Sequence, residues 1–308
     1  MISICIPVYN FDCSALILSL TKQIKDNQLA AEIVLIDDAS EENFRAIHSP
    51  IPQIKYIQLA QNVGRARIRN LFLQHTQFPY LLFLDCDGAV NHPNFIKNYV
   101  QSISPNFKGV ICGGRVYPNF VHESKKLHWK YGVNFESKSA IERAKKPYGS
   151  FMTNNFLIEK SILQQFPFNE NLVQYGHEDT LLGIQLQHNN IPIIHIANEI
   201  LNLDIETNES YLQKTQLAVQ NLAYLMQNPS YQKAIIQHVK MAKVGYFLYR
   251  YKIILFVRFL NPILLPISYF IAKKFSSTFA LNIFKLLFWV KCIPKNALKL
   301  TRPKKVYT

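Results

Sequence analysis

The 308-residue chain predicts an α/β fold, a mainly parallel sheet flanked by helices, followed by a helical and basic C-terminal extension. Three observations predict it. Apolar runs of strand length alternate with helical apolar spacings through the first 115 residues, the pattern of βαβ units. Acidic and Asn residues gather just after the first, second and fourth of these runs, where an open sheet offers its carboxyl edge to ligands. No Asp or Glu follows Glu209, whereas residues 210–308 hold 16 of the 34 lysines and arginines.

The elements follow in order. Residues 2–6 are strand-like, and 13–25 carry helical apolar spacing. A second strand at 32–36 ends at Asp37-Asp38, and a third covers 55–59. A helix is predicted over 64–75, a fourth strand over 80–84, a helix with Pro93 in its first turn over 93–102, and a fifth strand over 109–112. Residues 116–150 are polar and basic with weak periodicity and read as a long excursion, which in a compact domain is usually functional. An apolar segment at 156–158, helices near 161–165 and 181–188, and a strand at 191–196 complete the first part. Residues 211–243 are helical in pattern. From Val244 the chain turns apolar, with nearly unbroken runs at 253–272 and 279–294.

Composition narrows the function classes. The hydrophobic fraction of 49% is that of a globular protein. The chain opens on a strand-like run with no basic leader, so no secretory signal is expected. Five scattered cysteines without CxxC spacing fit a reduced, cytosolic setting and supply no metal-ligand set. The net charge of +14 sits wholly in the C-terminal third, because the first 209 residues hold 18 basic and 20 acidic side chains. That asymmetry points to an anionic surface as partner. A nucleic-acid face should be basic and polar with isolated aromatics, and the apolar runs of the tail argue against one. No GxGxxG follows the first strand and no Walker A sequence is present, which argues against an oxidoreductase and a phosphate-loop enzyme.

The chemistry centres on Asp85-Cys86-Asp87. Two carboxylates one residue apart appear where the apolar run 78–84 ends. They are hard oxygen donors suited to Mg²⁺ or Mn²⁺, ions that usually share a site with substrate phosphates. Cys86 between them is expected to be a small filler, its thiol dulled by the flanking charges.

Four further patterns accompany that pair. They are Ile6-Pro7-Val8-Tyr9-Asn10, Asp37-Asp38-Ala39-Ser40, the stretch from Asn62 through Gly64, Arg65, Arg67 and Arg69 to Asn70, and Gly176-His177-Glu178-Asp179. In this order and spacing the chain resembles the family 2 glycosyltransferases, inverting nucleotide-sugar enzymes of the GT-A fold, over roughly residues 1–210. The resemblance implies a GT-A catalytic domain over 1–210, with a nucleotide-sugar half at 1–115 and an acceptor half at 116–210. It implies that Pro7 and Tyr9 line the nucleotide base and that Asp37 or Asp38 accepts a hydrogen bond from it. Such an acceptor is consistent with uracil and favours a UDP-sugar donor, although guanine also offers ring N–H groups. It also implies that Asp179 is the general base and that Glu178 binds acceptor hydroxyls or orients the site. Both acids also suit the first turn of a helix, where its dipole favours negative charge.

Physical chemistry runs beside the resemblance. Departure of a diphosphate demands neutralisation of growing negative charge. A divalent ion on Asp87 would supply it, with Asp85 supporting the ion or the ribose. The helix after Gly64 offers its N-terminus and Arg65 to phosphate or base, and Gly64 permits close backbone approach. Intact Asp85, Asp87 and Asp179 argue against a catalytically inactive sugar-nucleotide-binding relative. Many relatives carry a histidine near 198–204. Asn202 or its neighbours stand there in this chain, and His195 reads as part of a strand.

The segment 211–308 is predicted to be a helical, basic region, and 244–308 to meet an anionic membrane surface. Arg258, Pro262 and Pro266 interrupt the run 253–272, so helices lying in the interface are expected in preference to a span. The expected location is the cytoplasmic face of the cell's inner membrane, facing a glycan or lipid-linked acceptor.

Overall fold

The computed structural model describes residues 1–172 and 175–294. The last residues of the predicted basic segment, 295–308, lie outside the described residues. The strands are β1 (Ile2–Val8), β2 (Ala31–Asp37), β3 (Ile54–Gln58), β4 (Tyr80–Leu84), β5 (Gly88–Ala89), β6 (Val110–Cys112), β7 (Arg115–Val116), β8 (Asn155–Glu159), β9 (Ile193–His195) and β10 (Ile200–Asn202). The helices are α1 (Ser14–Asp26), α2 (Glu42–His48), α3 (Arg65–His75), α4 (Phe95–Ser102), α5 (Lys126–Tyr131), α6 (Ala140–Ala144), α7 (Lys160–Gln165), α8 (Glu178–His188), α9 (Asn208–Leu225), α10 (Pro229–His238), α11 (Lys240–Arg250), α12 (Ile253–Phe275) and α13 (Thr278–Cys292).

Two compact units divide the chain. The first holds the sheets. Its main sheet has the order β3-β2-β1-β4-β8-β6-β9. The strands run parallel except β8, which is antiparallel to both β4 and β6. This is the expected α/β class with one strand inserted against the grain. Alternation along β1 and β2 sends Ile4, Ile6, Ile33 and Leu35 to one face and Cys5, Val34 and Ile36 to the other. Helices α1 and α4 cover the first face with Leu16, Ile17, Leu20, Phe95 and Tyr99. Helices α3, α7 and α8 cover the second with Phe72, Leu163, Leu182 and Leu186. Each fully buried side chain of this kind contributes about 1.5–3 kcal/mol, which fixes the three layers.

The topology positions the site. The chain runs outward from β1 to β2 and β3, then crosses back to place β4 on the other side of β1. The direction of winding therefore switches at β1, and the carboxyl ends of β1 and β4 are where an open α/β sheet of this order takes its ligand. A second, small sheet of order β5-β10-β7 lies beyond β4. Its pairing of Asn202 with Gly88, and the bond from the Leu203 amide to the Asp87 carbonyl at 3.0 Å, tie the turn after β4 to the segment after β10. A side chain at Gly88 would run into Ile200, so the close crossing requires glycine.

The excursion 116–150 is more ordered than expected. It contains α5, a π-helical turn at Gly132–Glu136, and α6, which starts with a Ser139–Glu142 capping box. Residues His122–Tyr131 belong to the second unit with 206–294, so that unit is not purely C-terminal. The reason is specific contact. The Leu127 amide donates to Asn208 Oδ1 at 2.8 Å, and His128 stacks on Tyr211 with ring centres 4.5 Å apart. The expected helical stretch 211–243 is broken at Asn228, which caps α10 ahead of Pro229.

Candidate active site

The loops after β1 and β2 are laced together. The Asn10 amide donates to Ser40 Oγ at 2.8 Å, and the Glu41 amide to Asn10 Oδ1 at 2.8 Å. Asn10 and Ala39 both hold positive φ, 47° and 63°, so these turns are bent sharply where the strands end. Pro7 is half-buried and Tyr9 exposed between the buried Val8 and the turn, so both remain available to a ligand.

Asp37 and Asp38 are turned inward. Asp37 has no exposed surface, and its two oxygens accept from the Ser40 amide at 2.7 Å and the Tyr56 hydroxyl at 2.8 Å. Asp38 accepts from the amides of Val63 at 2.7 Å and Gly64 at 3.1 Å. Its carboxyl is raised, first by burial. Asp38 therefore holds the loop that starts α3, Asp37 ties its own turn to Tyr56 of β3, and the N-cap position of α2 is Glu41. Gly64 stands at the head of α3 with φ 80°, a conformation that favours glycine.

Helix α3 carries the feature that sequence reasoning undervalued. Arg69 is 1% exposed. Its Nη2 donates to Asp85 Oδ1 at 2.8 Å, its Nη1 to the Arg65 carbonyl at 3.1 Å, and Nη1 lies 3.9 Å from Glu178 Oε1. Arg65, half-exposed, lies 3.7 Å from the same Glu178 oxygen. Phe168 packs against the Arg69 guanidinium at 5.8 Å. One buried cation thus joins the strand-end acid to the Glu-Asp motif 93 residues later in the chain. The signal was present in the sequence. Arg69 shares three-residue spacing with Ala66 and Phe72, the buried face of α3. A charged residue on a buried face requires an acidic partner. Arg67 instead points to Glu170 from an exposed position.

Asp87 sits in an acidic corner. Burial and then the charge of Asp85 push its carboxyl up to about 6, with Asp204 adding to the push and Arg115 and Arg65 opposing it. Asn202 is buried in β10, and Asp204 is exposed just beyond. Arg115 on β7 bonds Glu136 at 3.0 Å and the Tyr117 hydroxyl at 3.1 Å, and so brings a held positive charge beside Asp85 and Asp87. Cys86 packs into the core, and burial with the two flanking acids raises its thiol well above the usual range. His195 is taken up structurally by Arg143 at 3.3 Å and the Pro147 carbonyl at 3.0 Å.

Among the described residues, no three of His, Cys, Asp and Glu gather to hold a metal ion by themselves. The chain supplies the Asp85–Asp87 pair, whose mutual repulsion a cation would relieve. Two hard oxygens with room for water and phosphate fit Mg²⁺ or Mn²⁺, which rarely use an all-protein cage.

Glu178 and Asp179 open α8, as expected from the sequence. Glu178 is buried and faces the α3 arginines. Burial and the adjacent Glu178 push the Asp179 carboxyl up to about 6, while bonds from the Thr180 amide and hydroxyl and the charge of Arg69 oppose the rise.

The chain is similar to known proteins. The family model for glycosyl transferase family 2 matches residues 3–166. Chondroitin synthase from Escherichia coli is 25% identical over 223 residues, 60% of this chain and 32% of its own length. A glycosyltransferase of Haemophilus influenzae is 38% identical over 103 residues, 32% of this chain and 40% of its own length. The chain thus spans about a third of the length of these curated relatives. Among solved structures, the mannosyltransferase PcManGT from Pyrobaculum calidifontis, in complex with GDP-Man and Mn²⁺, aligns at TM-score 0.54 and 12% identity, covering 94% of this chain and 86% of that one. TarS 1–349 from Staphylococcus aureus, in complex with UDP, aligns at TM-score 0.51 and 17% identity, covering 94% and 89%. With a family model that matches more than half of the chain and a mixed sheet flanked by helices that aligns with GT-A structures, the chain belongs to glycosyl transferase family 2.

Proposed function

We propose that the protein transfers a sugar from a nucleotide-sugar donor, a UDP-sugar, to a hydroxyl of a glycan or lipid-linked acceptor, inverting the configuration at C1. The observation that carries this reading is the Asp85–Arg69–Glu178 bridge, which brings donor-side and acceptor-side acids together beside the raised carboxyl of Asp179.

Pro7 and Tyr9 line the base, and the inward Asp37 and Asp38 hold the loops around it, with Asp38 the nearer to the head of α3. Arg65 and the N-terminus of α3 meet the diphosphate. Asp87 and Asp85 would hold Mg²⁺ or Mn²⁺, which neutralises charge on the departing diphosphate. Asp179 accepts the proton of the acceptor hydroxyl as that oxygen bonds to C1 and the bond from C1 to the diphosphate oxygen breaks. A base whose pKa lies near operating pH suits this transfer. Glu178, held by Arg69 and Arg65, orients the site. The UDP and the Mn²⁺ in the two aligned structures support the donor and metal parts of the reading.

The test is donor hydrolysis and transfer over a panel of UDP- and GDP-sugars, with Mn²⁺, Mg²⁺ or EDTA. Metal-stimulated turnover of a UDP-sugar is expected. Binding of UDP without turnover of any donor or acceptor would overturn the enzymatic reading, and a preference for GDP-sugars would overturn the choice of donor.

A further inference from the structure

Helix α12 is built inside out. A helix on the surface of a water-soluble domain buries its apolar stripe and exposes its polar one. In α12 the buried residues are Ile254, Asn261, Ser268 and Ala272. The exposed ones include Phe256 at 64%, Phe259 at 79% and Ile263 at 63%, with Ile267 and Phe270 continuing the same surface. Two polar residues of the apolar run, Arg258 and Asn261, are turned to α13. Arg258 Nη2 donates to the Ile293 carbonyl at 2.7 Å, and Asn261 Nδ2 to the Leu287 carbonyl at 3.0 Å. Arg258 therefore satisfies carbonyls at the end of α13 and leaves the outer face without a charge. Small and polar residues between helices, with large apolar ones outward, are the arrangement of helices against lipid.

The charges around this face have one sign. Exposed Lys252 and Lys274 flank α12, with Lys243 and Arg250 on α11. Lys274 sits over the rings of Phe270 and Phe275 at 5.3 and 5.7 Å, an aromatic and cationic pairing suited to a headgroup layer. The acids of residues 206–294, Glu206 and Glu209, are paired with Lys214 and Lys273.

We infer that the outer face of α12 docks on an anionic lipid leaflet and lies in its plane. The helix has the length and composition of a membrane span. Within its own unit, however, α13 packs along its inner side and α9 and α5 also contact it. Only one face is left for lipid, so the helix is seated on the bilayer as a monotopic anchor. The negative potential of the cytoplasmic leaflet selects that side. The inference does not rest on sugar transfer, because donor hydrolysis in solution reads the active site and vesicle binding reads this face.

The test adds the full chain, from detergent-free solution, to preformed vesicles of phosphatidylcholine with about a third phosphatidylglycerol, a content chosen to carry the charge of an anionic leaflet. Flotation is measured at low and high salt. The protein should float at low salt and keep part of its binding at high salt, where a purely ionic contact would be lost. The double variant Phe256→Glu/Phe259→Glu alters only exposed side chains. It should bind at least tenfold more weakly, since two apolar side chains lose their transfer out of water and two carboxylates meet an anionic leaflet. Its donor hydrolysis should be unchanged. Failure of the wild type to float, flotation of the variant like the wild type, or a wild-type dimer that the variant converts to monomer without vesicle binding would each overturn the inference.

Discussion

Replacing Asp179 with Asn should damage the chemistry and stabilise the fold at once. A free aspartate has a pKa of 3.8, and in this site burial and Glu178 push the carboxyl up to about 6. That difference corresponds to about 3 kcal/mol between the two protonation states. The folded state binds this proton more tightly than the unfolded state does. The carboxyl is therefore harmless below about pH 4, where both states are protonated, and progressively destabilising as pH rises through 6. Asn keeps the shape and an oxygen for the Thr180 amide but cannot ionise. The Asp179→Asn protein should gain up to about 3 kcal/mol at pH 8 and almost nothing at pH 4, read from thermal or urea unfolding across pH. Its kcat should fall by about 10²–10⁴, the usual contribution of a general base. Wild-type kcat/KM should drop about tenfold per pH unit below pH 6. A variant that transfers sugar at the wild-type rate removes Asp179 as the base and makes Glu178 the candidate. A variant of normal stability at pH 8 refutes the burial argument even if activity is lost.

Further outcomes test the rest of the site. Asp87→Ala should abolish metal-stimulated turnover with the fold intact. In the wild type, Mn²⁺ affinity measured by electron paramagnetic resonance with UDP present should weaken as pH falls below about 6, because the ion and a proton compete for Asp87. Full activity in EDTA would end the metal reading. Arg69→Met leaves Asp85 and Glu178 facing each other without their counter-ion and should cost about 3–5 kcal/mol in urea unfolding. Arg69→Lys keeps the charge but not the fork, and should fall between. Gly114→Ala places a methyl 1.6 Å from Arg143 Nη1 at φ 88°, and should lower the melting temperature by several degrees through strain of about 2 kcal/mol or more.

Much of this was readable in the chain because local signals agreed with tertiary ones. The strands at 2–6, 32–36 and 80–84 and the helix at 64–75 were legible from apolar runs that alternation or spacing made unambiguous. The places of Asp85 and Asp87 just after β4, and of Glu178 and Asp179 at the start of α8, were legible because apolar runs mark the ends of the elements beside them. The two-residue strands β5 and β7 were not, since they are created by pairing with β10 across more than 80 residues and have no local pattern. The reversed direction of β8 was hidden for the same reason, because strand direction is a property of the connection and not of the residues. The inward roles of Asp37 and Asp38 depend on donors from Tyr56, Val63 and Gly64, which approach only after folding. Arg258 counted against a membrane span in the sequence. Its partners are carbonyls more than thirty residues later, and no spacing rule reveals them.

Arg69 has one more implication. A single guanidinium serves as counter-ion to Asp85 on one side and faces Glu178 on the other. The two carboxylates are thereby coupled through a shared partner, so neutralising one frees the cation to lean toward the other. Substitutions at Asp85 and Glu178 should then be non-additive, with an interaction energy on the order of 0.5–3 kcal/mol in a double-mutant cycle. In evolutionary terms, and with the roles proposed above for Asp85 and Glu178, the donor side and the acceptor side of the site are not free to drift apart. A change of donor preference drawn through Asp85 carries a cost at the acceptor helix, and the helix α3 between them is where compensation would have to arise.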